Sequence, residues 1–257
     1  MKTKIIACAL SLASFALAGC AHAPVGSGAS GIQPVKDRHA MDELKVMSGA
    51  LAGAKTLSFD VKAMSPLRGP NGQWLHMMKS AQVKLERPDH LRISQGGDAF
   101  PQEVYFDGKT FSVEAPQTKL FTQQPMPGTI DQMLANISKT GGESYFFSDV
   151  LLADPFGSWE QDLTGATYVG ESNYEGKPLH HLAFTSKGVD WEVFVSGEDH
   201  LPRVVFVKYL NAEKSPTVQL EFSNWKVGTK IAASTFKFKA PEGSKQASFK
   251  APKGAAQ

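Results

Sequence analysis

From Leu57 onward, apolar side chains recur at every second residue. Leu57, Phe59, Val61 and Ala63 alternate with Ser58, Asp60 and Lys62; Ala81, Val83 and Leu85 alternate with Gln82, Lys84 and Glu86; Leu91 and Ile93 alternate with Arg92 and Ser94. A strand turns successive side chains to opposite faces, so this period describes a sheet with one apolar and one polar face. Asn71-Gly72 and Asp107-Gly108 are tight-turn pairs, because both residues tolerate positive φ, and they join strands locally into an antiparallel meander. Strands resume near Thr167 and continue over 179–185, 189–195, 202–209, 217–224 and 235–238. Val204, Val205, Phe206 and Val207 are apolar without interruption, which predicts a strand covered on both sides. The pattern predicts about ten strands with two or three helices.

The helical period is confined to two places. Met41, Leu44, Met47 and Leu51 form one apolar stripe over 37–54, with Asp37 placed to cap its start and Gly53 near its end. In mid-chain, Thr129-Ile-Asp-Gln132 has the form of a capping box, and Ile130, Met133, Leu134 and Ile137 follow on one face until Gly141-Gly142. A second short helix is predicted over 145–153, dense in Phe146, Phe147, Val150, Leu151 and Leu152 and stopped by Asp154-Pro155. An antiparallel sheet with few helices has to hide its apolar face. With the helices gathered in one insertion and one leading segment, the expected architecture is mainly β (α+β). It is an incomplete antiparallel barrel, a curled sheet with helices over its concave face.

The N-terminus carries an address. Lys2 and Lys4 precede an apolar run from Ile5 to Ala18 that is too short to span a bilayer, and the run closes on Leu17-Ala18-Gly19-Cys20. This is a lipobox at the end of a signal peptide, and it predicts lipidation at Cys20 with diacylglyceryl and a further acyl chain. Stable anchoring takes more than one chain. Ala21 is not the Asp that commonly retains a lipoprotein in the inner membrane of Gram-negative bacteria, so an outer-membrane anchor facing the periplasm is expected. The next segment, rich in Ala, Gly, Ser and Pro, cannot bury enough surface to order itself. As a coil it spans about 20–25 Å, a tether. Expected boundaries are 1–19 for the signal peptide, 20–36 for the tether, 37–243 for a single folded domain, and 244–257 for a disordered Lys/Ala-rich tail.

Charge and cysteines narrow the partners. Loss of residues 1–19 removes Lys2 and Lys4 and leaves 25 basic against 25 acidic residues, which argues against a nucleic-acid partner. The two cysteines, Cys8 and Cys20, are respectively discarded and acylated, so no disulfide is expected and stability has to come from the core.

No motif supports catalysis. His180 and His181 are adjacent on a strand and point to opposite faces, and no metal-binding spacing occurs. Gly108-Lys109-Thr110 resembles the tail of a phosphate loop, but Glu103 stands where the motif needs Gly, and a hairpin turn explains it. Ser172 lacks the second Gly of a nucleophile elbow. Capping or solvation accounts for Asp149 and Asp154, and an exposed strand face for Asp190 and Glu192. The expectation is a protein that is not an enzyme and uses no cofactor or metal.

Phe106-Asp-Gly-Lys-Thr110, Pro127-Gly-Thr-Ile-Asp131, Leu151-Leu-Ala-Asp-Pro155, Gly176-Lys-Pro-Leu-His-His-Leu-Ala-Phe184 and Asp190-Trp191 with Leu201-Pro-Arg203 resemble a family of uncharacterised predicted periplasmic proteins, over about residues 44–241. That family is similar in turn to the lipoprotein-carrier superfamily of LolA, LolB and LppX. The resemblance implies an incomplete barrel with a helical lid over an apolar cavity for acyl chains.

The leading expectation is therefore a lipid-anchored, periplasm-facing protein that binds a lipid, acyl chain or other hydrophobic ligand between sheet and lid. Such a protein would serve envelope lipid or lipoprotein trafficking. Candidate ligand-binding residues are Met133, Ile137, Phe146, Phe147, Leu151, Phe184, Trp191 and Phe206. The alternative is a structural or adaptor lipoprotein with a solid core that holds an envelope protein partner.

Overall fold

A computed structural model describes residues 35–98, 100–139 and 145–248 of the chain. The lipobox with Cys20, most of the tether, Gly141-Gly142 and the last residues of the tail lie outside the described residues.

Helix α1 (Arg38–Gly53) leads, and the Asp37 side chain caps it by accepting from the Ala40 amide at 3.0 Å. Six strands follow: β1 (Thr56–Arg68), β2 (Trp74–Glu86), β3 (His90–Gly97), β4 (Gln102–Asp107), β5 (Thr110–Ala115) and β6 (Leu120–Pro125). Then come α2 (Ile130–Lys139), a 3-10 turn (Ser148–Leu151) and α3 (Pro155–Glu160). The second strand group is β7 (Leu163–Tyr174), β8 (Lys177–Ser186), β9 (Val189–Ser196), β10 (Pro202–Tyr209) and β11 (Thr217–Val227). A 3-10 turn at Ala233–Phe236 and a short β12 (Lys245–Gln246) end the described chain.

All twelve described strands join one open sheet in the order β12-β6-β5-β4-β3-β2-β1-β11-β10-β9-β8-β7. Each neighbouring pair is antiparallel except β12 against β6. Two meanders, β1 to β6 and β7 to β11, are fused at the middle by β1 against β11, where Val61 faces Phe222 and Ala63 faces Leu220. The predicted alternation is what one face buries: Leu57, Phe59, Val61, Val83, Leu85, Leu91, Ile93, Val104 and Phe106 are all at most 2% exposed. Leu44, Met47 and Leu51 of α1 and Met133 of α2 pack with them in the same core.

The predicted local signals act as expected at several points. Thr129 donates its amide to Gln132 Oε1 (2.9 Å), and the Gln132 amide reaches Thr129 Oγ1 (3.3 Å), a closed capping box. Gly72 and Gly108 occupy φ +81° and +79° in their turns, and Asp107 Oδ1 accepts from the Lys109 and Thr110 amides.

Five expectations differ from the structure. The helix predicted over 145–153 is instead a 3-10 turn followed by a separate α3. Asp154-Pro155 starts α3 rather than stopping its predecessor: Asp154 Oδ1 accepts from the Gly157 amide at 2.9 Å, and Pro155 fills the first helical position, where its missing N–H is harmless. The strand predicted over 235–238 is a 3-10 turn, and Phe236 packs there against the His90 ring at 5.3 Å. Strand β10 is not covered on both sides, since Val204, Val205, Phe206 and Val207 are each only half-buried. The sheet also runs past residue 243, because β12 pairs with Leu120 and Phe121 of β6. Among the described residues, no helix is long and apolar enough to cross a membrane.

Candidate functional site

The inward face of β9, β10 and β11 makes a floor. Register places Val205 opposite both Val193 and Leu220, so these three stand together on the helix side of the sheet. Short branched side chains at Val193, Val205 and Val207 leave depth, while Trp191 and Phe222 wall it. Trp191 stacks on Phe184 at 4.2 Å.

The roof is built from the segment that joins the two meanders. Phe146, Phe147 and Val150 come from the 3-10 turn and its approach, Trp159 from α3 and Met47 from α1. Three bonds fix this segment from three sides. Arg87 Nη1 donates to the Leu151 carbonyl (2.7 Å), the Ala153 amide donates to Asp131 of α2 (3.1 Å), and the Phe156 amide donates to Ser48 Oγ of α1 (2.9 Å).

Between floor and roof lies a cavity of about 300 Å³. Its interior is apolar, and Ser158, Asp162 and Lys187, all exposed, mark its mouth. That volume is at the small end of the range for ligand pockets, about 300–1,000 Å³. Phe146 and Phe147 form the partition to a second void of about 30 Å³, bounded by Val61, Ala63, Ala81 and Tyr145. Two larger depressions, about 390 and 500 Å³, lie on the outer face among Lys62, Glu175, Arg203 and Glu221, and among Asp60, Lys84 and Lys226. Their charged linings set them apart from the inner cavity, despite their size.

One polar group stands inside. Asp149 lines the cavity from the roof, and the Trp159 indole Nε1 donates to its Oδ2 at 3.4 Å. Asp149 is exposed where it lines the cavity. Loss of hydration there pushes the Asp149 carboxyl above its ordinary value, against the indole hydrogen bond, which lowers it. Burial, and then the nearby Asp149 charge, push the Tyr209 phenol up.

The eight residues predicted to bind ligand separate into three groups. Phe146, Phe147 and Trp191 line the cavity. Met133, Ile137, Leu151 and Phe184 are buried at 6% exposure or less and act as core beneath and beside it. Phe206 faces Glu192 and Gln219 on the opposite side of the sheet and packs edge-on to Phe194 at 6.3 Å. Sequence reasoning missed Asp149, Val193, Val205 and Leu220. In the sequence, apolar Val218, Leu220 and Phe222 alternate with Gln219 and Glu221, the one signal that points to that floor. Of the capping or solvation expected for these two acids, Asp154 caps α3 and Asp149 is exposed, at the cavity lining.

The histidines take structural places. His180 Nδ1 is 3.0 Å from the Tyr168 hydroxyl, and His39 of α1 stacks on the same ring at 3.9 Å. His181, on the other face, pairs with Glu192 at 2.8 Å and stacks on Phe194 at 4.1 Å. Among the described residues, no three His, Cys, Asp or Glu gather to hold a metal ion.

The chain thus folds as an open, mainly β, antiparallel sheet with an apolar hollow roofed by helices. The chain belongs to the DUF2092 family of predicted periplasmic proteins, whose model matches residues 40–250. No curated protein matches it by sequence. Among solved structures it is similar to MucB in the Pseudomonas aeruginosa MucA/MucB complex (19% identity, 79% of this chain and 62% of that one, TM-score 0.43). It is also similar to Mycobacterium tuberculosis lipoprotein LppX (12%, 77% and 100%, 0.48) and to a LolA superfamily protein from Nitrosomonas europaea (13%, 77% and 97%, 0.34). The chain spans about three-fifths of the length of MucB.

Proposed function

We propose that this protein is held in the outer membrane by acyl chains on Cys20, faces the periplasm, and binds a lipid, acyl chain or other hydrophobic ligand without chemical turnover. The observation that carries this reading is the apolar cavity of about 300 Å³ between the β9–β11 floor and the Phe147–Trp159 roof. Each methylene moved from water into such a space contributes about 0.8 kcal/mol, so half of one acyl chain is enough for capture. The family's periplasmic character and the lipobox at Leu17-Ala18-Gly19-Cys20 support the location. Native mass spectrometry of protein purified without its anchor tests the reading. A co-purifying lipid, or uptake of a fluorescent fatty acid, is expected, and neither appearing overturns it.

A second reading, a scaffold that holds an envelope protein, is favoured by the bare end of the β1–β2 hairpin. Pairing with β11 stops at Met64 and pairing with β3 stops at Lys79, beyond which Leu67, Leu75 and Met78 are 51%, 37% and 61% exposed. Photocrosslinking from position 78 in intact envelopes tests it, one stoichiometric protein adduct being the expected result and an absence of protein adducts the overturning one.

A further inference from the structure

The apolar cavity has a corner that an ordinary hydrocarbon pocket does not need. Asp149 presents a carboxylate to the cavity wall with a single weak donor, the Trp159 indole at 3.4 Å. Among the described residues, none of the ion pairs includes Asp149. Beside it the Trp159 and Trp191 rings lie 5.8 Å apart, inclined at 48°, one from the roof and one from the floor, both lining the cavity. The Asp149 charge also reaches the Tyr209 phenol. A carboxylate without a counter-cation, lining an apolar cavity beside two indoles, is the arrangement that attracts an ammonium group. The carboxylate supplies a charge-assisted hydrogen bond, and the apolar rings beside it keep competing water away.

Resting on the hydrocarbon-binding reading above, we propose that the ligand is a cationic amphiphile, an alkyl chain bearing an ammonium group, with Asp149 as the residue that selects the head. The chain lies on the Val193–Val205–Leu220 floor, and the ammonium sits between Asp149 and the Trp159–Trp191 pair. Charge supports this direction of fit: among the described residues the carboxylate has no ion-pair partner, and an ammonium supplies one. Of the other charges on the wall, Asp162 adds to the preference for a cation. Lys187 opposes it, but it stands exposed at the mouth, where solvent and salt screen it. An anionic head at the same corner would face Asp149 without a donor strong enough to offset the repulsion.

The test is displacement of N-phenyl-1-naphthylamine from the full chain, carrying Cys20→Ser so that no attached acyl group competes. Decylammonium, decanol and decanoate are the competing probes at neutral pH. The expected result is that decylammonium displaces the dye at a concentration about tenfold or more below that of decanoate and below that of decanol. Asp149→Asn is expected to erase the advantage of decylammonium over decanol, and Asp149→Glu, which keeps the charge, to retain it. Because the readout is a ratio within each variant, a general loss of fold does not mimic it. Equal displacement by decylammonium and decanoate, or an ammonium advantage that survives Asp149→Asn, overturns the head-group proposal alone. Failure of the dye and of decanol to bind at all overturns the hydrocarbon-binding reading instead.

Discussion

Arg87 and Leu151, 64 residues apart in the chain, are joined by a 2.7 Å hydrogen bond from the guanidinium Nη1 to the carbonyl oxygen. Arg87 follows β2 and Leu151 ends the roof turn, so one side chain fastens the cover to the sheet. Its Nη2 also donates to the Leu51 carbonyl at the end of α1, at 3.3 Å. The roof is therefore held by a planar fork with donors aimed at two orphan carbonyls, a geometry that Lys cannot supply.

Removing that fork should loosen the roof. Arg87→Met leaves two carbonyls without their donor and is expected to destabilise the fold by about 2–4 kcal/mol. Arg87→Lys should fall between the variant and the native chain. Urea unfolding reads this directly, and an unchanged midpoint for Arg87→Met would show that the fork does not hold the roof.

Filling the floor should block the cavity without weakening the protein. Val205→Trp places an indole into the 300 Å³ space, and dye uptake is expected to fall about tenfold or more with no loss of thermal midpoint. Val204→Trp, on the outer face opposite Glu221, should leave uptake unchanged. Equal uptake by the native chain and Val205→Trp would place the bound probe elsewhere.

Phe147 separates the two inner voids and is 7% exposed, in contact with Phe59 at 6.2 Å. Phe147→Ala is expected to cost about 3–5 kcal/mol and to join the voids. Chain-length preference should then shift upward by about two methylenes, each worth roughly 0.8 kcal/mol. A series of alkanols from C8 to C14 measures this, and an unshifted optimum argues against the partition.

Asp149 should make stability fall as pH rises. Its folded pKa lies above its unfolded value because it has lost hydration, so the folded state holds the proton more tightly than the unfolded chain. The contribution is complete below the unfolded value, near 3.8, and is lost as pH climbs through the folded one. Asp149→Asn removes the dependence. The thermal midpoint of the variant relative to the native chain is expected to rise between pH 4 and pH 7, and a difference that is flat or reversed over that range would contradict the desolvated carboxyl.

Cys20→Ser in cells should abolish palmitate incorporation and move the protein from the membrane fraction to the soluble periplasmic one. Continued labelling of the variant would remove the case for an anchor at that residue.

Much of the local structure was legible because it depends on near neighbours. Asp37 capping α1, Thr129 with Gln132 closing α2, and the turns at Gly72 and Gly108 each need only a side chain or a φ angle within three residues. Asp154-Pro155 shows where such reading divides. The same dipeptide can end one helix or begin another, and only the direction in which the Asp carboxyl bonds, forward to Gly157, decides it.

Phe206 failed for a different reason. Four consecutive apolar residues carry no phase, so strand β10 does not itself say which pair turns inward. Pairing supplies the phase: Val205 opposite Leu220 fixes one face, and Phe206 opposite Gln219 is left on the other.

The sequence by itself determined an alternating, antiparallel, helix-covered sheet, because periodicity, caps and turn chemistry are written in adjacent residues. Only the tertiary structure decided that β1 meets β11, that the sheet stays open, and that Val193, Val205 and Leu220 leave a hollow beneath Asp149 and Trp159. A void is a property of side chains brought together from distant strands. It arises where their volumes fail to fill the space between sheet and roof, and no single stretch of chain records that shortfall.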